Sequence, residues 1–148
     1  MKKNEFSHLK YIFPLLLISL LILSVTLSGC ASSRTTVSPI FKNISVPEAA
    51  ELIKNYKNKP DFTILDVRTQ EEFTAGHIEG ALNLDFYSAT FKDDLNKLDK
   101  GNTYFVYCRS GNRSGQAMKI MESLGFQEVY NLSAGINDWV DSGQPLVQ

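Results

Sequence analysis

The sequence contains little cysteine and little histidine, and neither sign of charge is in excess. Its 148 residues include two cysteines, Cys30 and Cys108, and two histidines, His8 and His77. Two cysteines are too few for a small fold built on disulfides or for a zinc site made of several thiolates. The 15 basic and 16 acidic residues give a net charge of −1, so no nucleic-acid-binding surface is expected. The 43% of hydrophobic residues fits an ordinary globular domain.

The longest apolar run lies near the amino terminus. Lys2, Lys3 and Lys10 precede the run, which extends from residue 11 to residue 27. A basic start followed by such a run is typical of a secretory signal. Its length of about 17 residues is at the low end of what spans a bilayer, so a permanent transmembrane helix is the alternative interpretation.

The end of this run, Leu27-Ser28-Gly29-Cys30, resembles the lipobox of bacterial lipoproteins. In that family a diacylglycerol is attached to the cysteine sulfur, and the signal is cut just before it. The resemblance implies a signal peptide at 1–29 and a lipidated Cys30, with the small, polar residues 30–39 as a flexible tether. The domain is then expected outside the cytoplasm, anchored to a bacterial membrane by its acyl chains.

Strand and helix patterns alternate through the rest of the chain. Mostly apolar runs predict strands at 62–67, 81–84, 103–107 and 128–132. Capping boxes and apolar stripes predict helices at 45–56, 69–76, within 88–98, at 114–124 and at 136–140. Alternation of this kind indicates an α/β fold, in which a parallel sheet carries helices on both faces.

The strongest predicted strand, at 103–107, runs directly into a short loop that begins with Cys108. The loop continues with Arg109, Ser110, Gly111, Asn112, Arg113 and Ser114. Ligands of parallel sheets bind at the carboxyl ends of strands, and a helix N-terminus adds free N–H groups and partial positive charge. These groups favour a thiolate, so Cys108 is predicted to be a nucleophile in a site that attracts anions.

Cysteine–histidine and metal chemistry are both disfavoured by the sequence. His77 lies within 76–81, away from Cys108, and is expected to be a structural turn residue. No group of potential ligands has the spacing of a metal site, so no metal and no cofactor are predicted.

Two blocks of the sequence resemble the signatures of single-domain rhodaneses. The first comprises Asp66-Val67-Arg68, Glu72-Phe73 and 76–83, and the second comprises 107–114, Leu124-Gly125-Phe126, Val129 and 135–139. The sequence departs from the family at Ala134, where glycine is common. The resemblance covers 40–148 and implies one rhodanese domain there. Its fold would have three layers, with a central parallel sheet of about five strands and helices on both faces.

The resemblance implies a sulfurtransferase that carries sulfur as a persulfide on Cys108. The sulfur would come from a small anionic donor such as thiosulfate and pass to a thiophilic acceptor, cyanide or a thiol. Arg109, Ser110, Gly111, Asn112, Arg113 and Ser114 would bind substrate, and Asp66 and Arg68 would support the loop.

Two alternatives keep Cys108 in the same position. One is a redox-sensing thiol or a sulfur-carrier or binding module. The other is a phosphatase or arsenate reductase on the same fold, whose loop has one more residue between cysteine and arginine than the four present here. A shorter loop makes a smaller cradle, which suits a sulfur atom better than a tetrahedral oxyanion.

Overall fold

The computed structural model describes residues 38–148. The predicted signal peptide at 1–29, the lipidation site Cys30 and nearly all of the tether at 30–39 lie outside these residues. Within 38–148, no helix has the length and apolar character that crossing a membrane requires.

Strands and helices alternate along the described residues. The strands are β1 (Ile40–Ile44), β2 (Phe62–Asp66), β3 (Leu82–Asn83), β4 (Thr103–Tyr107) and β5 (Glu128–Leu132). The helices are α1 (Val46–Tyr56), α2 (Gln70–Thr74), α3 (Phe91–Asn96), α4 (Asn112–Ser123) and α5 (Gly135–Asp141).

The five strands form one parallel sheet in the order β1-β5-β4-β2-β3. The central strand β4 pairs with β2 on one side and with β5 on the other. This architecture confirms the predicted three-layer fold with its parallel sheet. Because all strands run in one direction, their carboxyl ends share one edge of the sheet, where ligands bind in folds of this class.

The side chains of β4 alternate between two apolar cores. Tyr104 and Val106 pack on the face covered by α3 and α4, whereas Phe105 and Tyr107 pack on the face covered by α1 and α5. Every residue of β4 is buried, as is usual for a central parallel strand. Each large apolar side chain buried in this way contributes about 1.5–3 kcal/mol, so the strand is firmly held. Cys108 continues the alternation and lies in the core beneath α3 and α4.

The structure differs from the sequence prediction at β1 and at the start of α4. β1 was not predicted. It is an edge strand paired only with β5, and because most of its residues are exposed its apolar pattern is weak. Helix α4 begins at Asn112 rather than at Ser114, because Gly111 adopts a positive φ of 85° and turns the chain early. The loop between β4 and α4 (108–111, the reactive loop) is therefore shorter than predicted.

Candidate active site

Cys108 lies at the carboxyl end of β4, three residues before the residue that caps α4. Its position follows from the sequence. The buried strand 103–107 ends at the edge of the sheet where ligands bind, so the next residue lies at that edge. The residue is only 1% exposed, so its sulfur is buried at the base of the loop and is not a surface thiol.

Hydrogen-bond donors surround the sulfur of Cys108. The hydroxyl of Ser114 lies 3.4 Å from the sulfur atom and donates to it. Burial raises the pKa of the Cys108 thiol, but hydrogen bonds from this hydroxyl and from the N–H groups of Ser114, Ser110 and Gly111 outweigh burial. The pKa of Cys108 therefore lies below its ordinary value, and the anionic form of the sulfur is favoured.

Gly111 shapes this cradle because no other residue fits its position. Its φ of 85° is in the left-handed region, and a Cβ atom there would lie 1.8 Å from the carbonyl oxygen of Ser133. The loop can therefore lie directly against the segment after β5 only with glycine at this position.

The N-terminus of α5 forms backbone hydrogen bonds with the same loop. The N–H of Ile136 donates to the carbonyl oxygen of Cys108 over 2.8 Å, and the N–H of Asn137 donates to that of Arg109 over 3.2 Å. A Cβ atom on Gly135, whose φ is 72°, would lie 2.5 Å from the backbone of Arg109. The first residues of α5 thus fix the backbone at Cys108 and Arg109.

Arg113 does not project freely towards an incoming anion. Its guanidinium donates to both carboxylate oxygens of Glu72, over 2.7 and 2.8 Å. Hydrogen bonding to Arg113 is the main reason why the pKa of Glu72 falls to about 2, so the carboxylate is charged at neutral pH. The ring of Tyr87 lies 5.5 Å from the same guanidinium. The sequence predicted Arg113 as a substrate-binding residue, and the structure shows that its guanidinium is already engaged.

The other polar residues of the loop are exposed. Arg109 and Ser110 lie on the surface, and the side chain of Arg109 makes no hydrogen bond to any of residues 38–148. The side-chain oxygen of Asn112 accepts from Gln116 on the outer face of α4, so it is engaged away from the sulfur. Of the predicted substrate-binding side chains, only that of Ser114 forms a hydrogen bond with the sulfur of Cys108.

Asp66 and Arg68 form a buried ion pair beside the loop. The guanidinium of Arg68 donates to the Asp66 carboxylate, with a shortest distance of 2.7 Å, and also to the carbonyl oxygen of Gly76. It lies 5.6 Å from the ring of Tyr107, the residue before Cys108. The amide of Asn83 donates to the carbonyl oxygens of both Asp66 and Arg68. The pair and its hydrogen bonds thus join the end of β2 to Gly76 and to Asn83 of β3, with the guanidinium over the ring of Tyr107 in β4.

His77 makes a stacking contact and a backbone pairing. It stacks on Phe73 with ring centroids 3.8 Å apart, and its backbone pairs with Val147 in an antiparallel bridge. Within 38–148, no three His, Cys, Asp or Glu side chains are grouped as metal ligands would be.

Sequence reasoning missed two contributors to the site. The sequence predicts a capping box at the start of the helix at 69–76, and the structure confirms it between Thr69 and Glu72, but the Glu72 carboxylate also binds Arg113. Gly135 was matched only as part of a motif, and its close approach to the loop was not anticipated. A pair separated by 41 residues, such as Glu72 and Arg113, leaves no local signal in the sequence.

Comparison with known proteins agrees with this architecture. The rhodanese-like domain family matches residues 48–142. The chain is 37% identical over 100 residues to the thiosulfate sulfurtransferase GlpE of Coxiella burnetii, an alignment that covers 68% of this chain and 88% of that protein. It is 32% identical over 99 residues to the putative sulfur carrier protein YrkF of Bacillus subtilis, covering 64% of this chain and 51% of that protein.

A solved structure gives the same result. The crystal structure of a rhodanese-related protein from Thermoplasma volcanium superposes with a TM-score of 0.61 at 29% identity. The superposition covers 72% of this chain and 98% of the Thermoplasma volcanium chain. The match to the family extends over more than half of the sequence and includes both the central strand and the reactive loop. The chain belongs to the rhodanese family.

Proposed function

We propose that this protein is a sulfurtransferase that carries a sulfane sulfur as a persulfide on Cys108. The observation that carries the proposal is the arrangement of N–H and hydroxyl donors around one buried sulfur, which lowers its pKa. The names of two relatives, a thiosulfate sulfurtransferase and a putative sulfur carrier, support the same chemistry.

The first half-reaction loads the enzyme. The Cys108 thiolate attacks the outer sulfur of a donor such as thiosulfate and forms a new S–S bond. The S–S bond within the donor breaks, and sulfite leaves with the electron pair. The persulfide anion left on the enzyme is again a sulfur anion, so the donors that stabilise the thiolate also stabilise the product.

The second half-reaction unloads the enzyme. A thiophilic acceptor, cyanide or a thiolate, attacks the outer sulfur of the persulfide and forms a bond to it. The S–S bond to Cys108 breaks, and the Cys108 thiolate leaves with the electron pair. The low pKa of Cys108 makes it a good leaving group as well as a charged nucleophile.

A phosphatase or arsenate reductase is the less favoured function for this loop. Such enzymes need a guanidinium that can bind a tetrahedral oxyanion at two points. Here both carboxylate oxygens of Glu72 already accept from the guanidinium of Arg113. Significant hydrolysis of an aryl phosphate, at a rate comparable to sulfur transfer, would overturn this choice.

Export and lipid anchoring through Cys30 form a separate part of the proposal. They are supported by the basic start, the apolar run and the lipobox resemblance of residues 1–30. We expect the full chain to incorporate a labelled fatty acid and to fractionate with membranes, and Cys30→Ser to lose the label. Equal labelling of that variant would refute the anchor without touching the sulfur chemistry.

Mass analysis of one peptide tests the persulfide. The purified full-length protein is incubated with thiosulfate, alkylated with iodoacetamide and cut with trypsin. Trypsin cuts after Lys100 and after Arg109 and so releases the peptide 101–109, which contains Cys108. This peptide should gain one sulfur atom. Cys30 falls in a different tryptic peptide, so the gain is assigned to one residue.

The control for this experiment is Cys108→Ser, in which the same peptide should gain nothing and thiosulfate:cyanide transfer should be abolished. Absence of the sulfur gain in the folded wild-type protein, or retained transfer in the variant, would refute the mechanism.

A further inference from the structure

We propose that Glu72 is a positioning residue that sets the anion selectivity of the Cys108 loop. By binding the Arg113 guanidinium, it weakens the binding of phosphate, whose oxygens would have to enter the loop, whereas a donor such as thiosulfate brings only its outer sulfur to Cys108. The inference rests on the proposed function for the identity of the preferred ligand, but its test does not depend on sulfur transfer.

The contact between Glu72 and Arg113 has the geometry of a strong ion pair. Two nitrogen atoms of the guanidinium each donate to a different carboxylate oxygen, over 2.7 and 2.8 Å. The Arg113 side chain is 13% exposed and that of Glu72 is 29% exposed, so water screens the pair only partly. Paired, two-point contacts of this kind restrict the orientation of both groups.

Glu72 is itself anchored, so Arg113 cannot move with it freely. The Glu72 carboxylate accepts from the N–H of Thr69 over 3.2 Å, and the N–H of Glu72 donates to the Thr69 hydroxyl over 3.3 Å. This reciprocal capping box ties the carboxylate to the first turn of α2. The exposed ring of Tyr87 lies against Arg113. The guanidinium is therefore fixed by neighbours from two separate segments.

This fixation changes what the loop can bind. A cysteine–arginine loop binds a tetrahedral oxyanion through backbone N–H groups together with a guanidinium that offers two donors and a positive charge. In this protein the charge of Arg113 is neutralised by Glu72. The Ser114 hydroxyl and the N–H groups of Ser110, Gly111 and Ser114 converge instead on a single sulfur atom, an arrangement that suits a persulfide better than the several oxygens of phosphate.

Protection of Cys108 by inorganic phosphate measures this selectivity directly. The full-length protein is alkylated with neutral iodoacetamide at fixed pH and ionic strength, and the modification of peptide 101–109 is followed at increasing phosphate. Glu72→Gln should lower the phosphate concentration that halves the alkylation rate by about fivefold, as expected for a partly screened unit charge. Glutamine keeps the capping box, because it serves at the same helix position as glutamate.

Two further variants separate positioning from a simple change of charge. Glu71→Gln removes the same charge from the adjacent exposed residue and should leave phosphate protection unchanged. Glu72→Asp keeps the charge but shortens the side chain, so it should break the two-point contact and strengthen phosphate protection. In an Arg113→Ala background, Glu72→Gln should change protection by less than about twofold, because the released cation is absent.

The inference is overturned if Glu72→Gln leaves protection unchanged, if Glu71→Gln strengthens it equally, or if the Arg113→Ala background does not reduce the effect. None of these readouts requires a persulfide. A protein that fails to accept sulfur from thiosulfate can still confirm or refute the role of Glu72.

Discussion

The N–H of Ile136 donates to the carbonyl oxygen of Cys108 over 2.8 Å, so the start of α5 holds the backbone directly after the central strand β4. The hydrogen bond is possible because Gly135, with no side chain, lets the two backbones approach closely. The precision of the site thus depends on an element that lies more than twenty residues after the reactive loop.

Replacing Gly135 should disturb both folding and reactivity. In Gly135→Ala the new Cβ would lie 2.5 Å from the backbone of Arg109, in addition to the strain of a φ of 72°. We expect a loss of about 1–3 kcal/mol in the free energy of unfolding and slower alkylation of Cys108. Chemical denaturation and iodoacetamide kinetics measure the two effects.

Gly143→Ala is the matched control for that variant. Gly143 has a similar φ of 76°, but a Cβ atom there would have no neighbour within 4 Å. The variant Gly143→Ala should therefore show only the effect of backbone strain on the free energy of unfolding, and its Cys108 should be alkylated at the normal rate. Equal loss of reactivity in both variants would mean that the contact with Arg109 does not position the loop.

Removing the Ser114 hydroxyl should raise the pKa of Cys108. Ser114→Ala deletes a hydrogen bond that favours the anionic sulfur. The pH profile of alkylation should shift to higher pH, so that less thiolate is present and persulfide formation is slower at neutral pH. Ser123→Ala, at the exposed end of α4, is the control, and an identical profile for Ser114→Ala and wild type would exclude this role of the hydroxyl.

Breaking the buried ion pair should destabilise the domain strongly. Arg68→Met leaves the fully buried Asp66 carboxylate without its cation. We expect a loss of about 3–5 kcal/mol in the free energy of unfolding, because an unpaired charge remains inside the protein. Lys42→Met breaks the exposed pair with Glu48 and should have little effect in the same denaturation experiment. Similar, small losses in both variants would contradict the proposed structural role of Arg68.

The pairing of Glu72 with Arg113 should also appear in acid stability. Hydrogen bonding to Arg113 lowers the pKa of Glu72 from 4.5 to about 2 in the folded protein. Its contribution is therefore present above about pH 4.5 and is lost as the pH falls towards 2. Between these pH values, wild type should lose about 1–2 kcal/mol more stability than Glu72→Gln, after allowance for screening. Parallel stability curves for the two proteins would show that the pair does not stabilise the fold.

Local patterns were sufficient to predict the central strand and the position of Cys108 at its end. The run at 103–107 consists of β-branched and aromatic residues, and Cys108 follows it directly, so the place of the thiol at the sheet edge depends on neighbouring residues alone. The capping box of Thr69 and Glu72 is equally local, and the structure confirms it.

Features set by distant contacts could not be predicted in the same way. β1 gains its conformation by pairing with β5, whose residues lie far along the chain, and its own exposed, mixed sequence shows little periodicity. The engagement of Arg113 depends on Glu72, 41 residues away. In both cases a partner that is distant in sequence determines the structure: β5 determines that β1 is a strand, and Glu72 determines where the guanidinium of Arg113 lies. The local sequence alone is compatible with several conformations.

The direction of β1 has a practical consequence. Ile40 and Thr103 both pair with Glu128, so β1 and β4 begin at the same edge of the sheet, whereas Cys108 follows the opposite end of β4, about 16 Å away. A bead, electrode or fluorescent label coupled through the chain ahead of Ile40 would reach the domain on the side remote from the thiol. Immobilised in that orientation, the protein would present to the solution the edge of the sheet that carries the Cys108 loop.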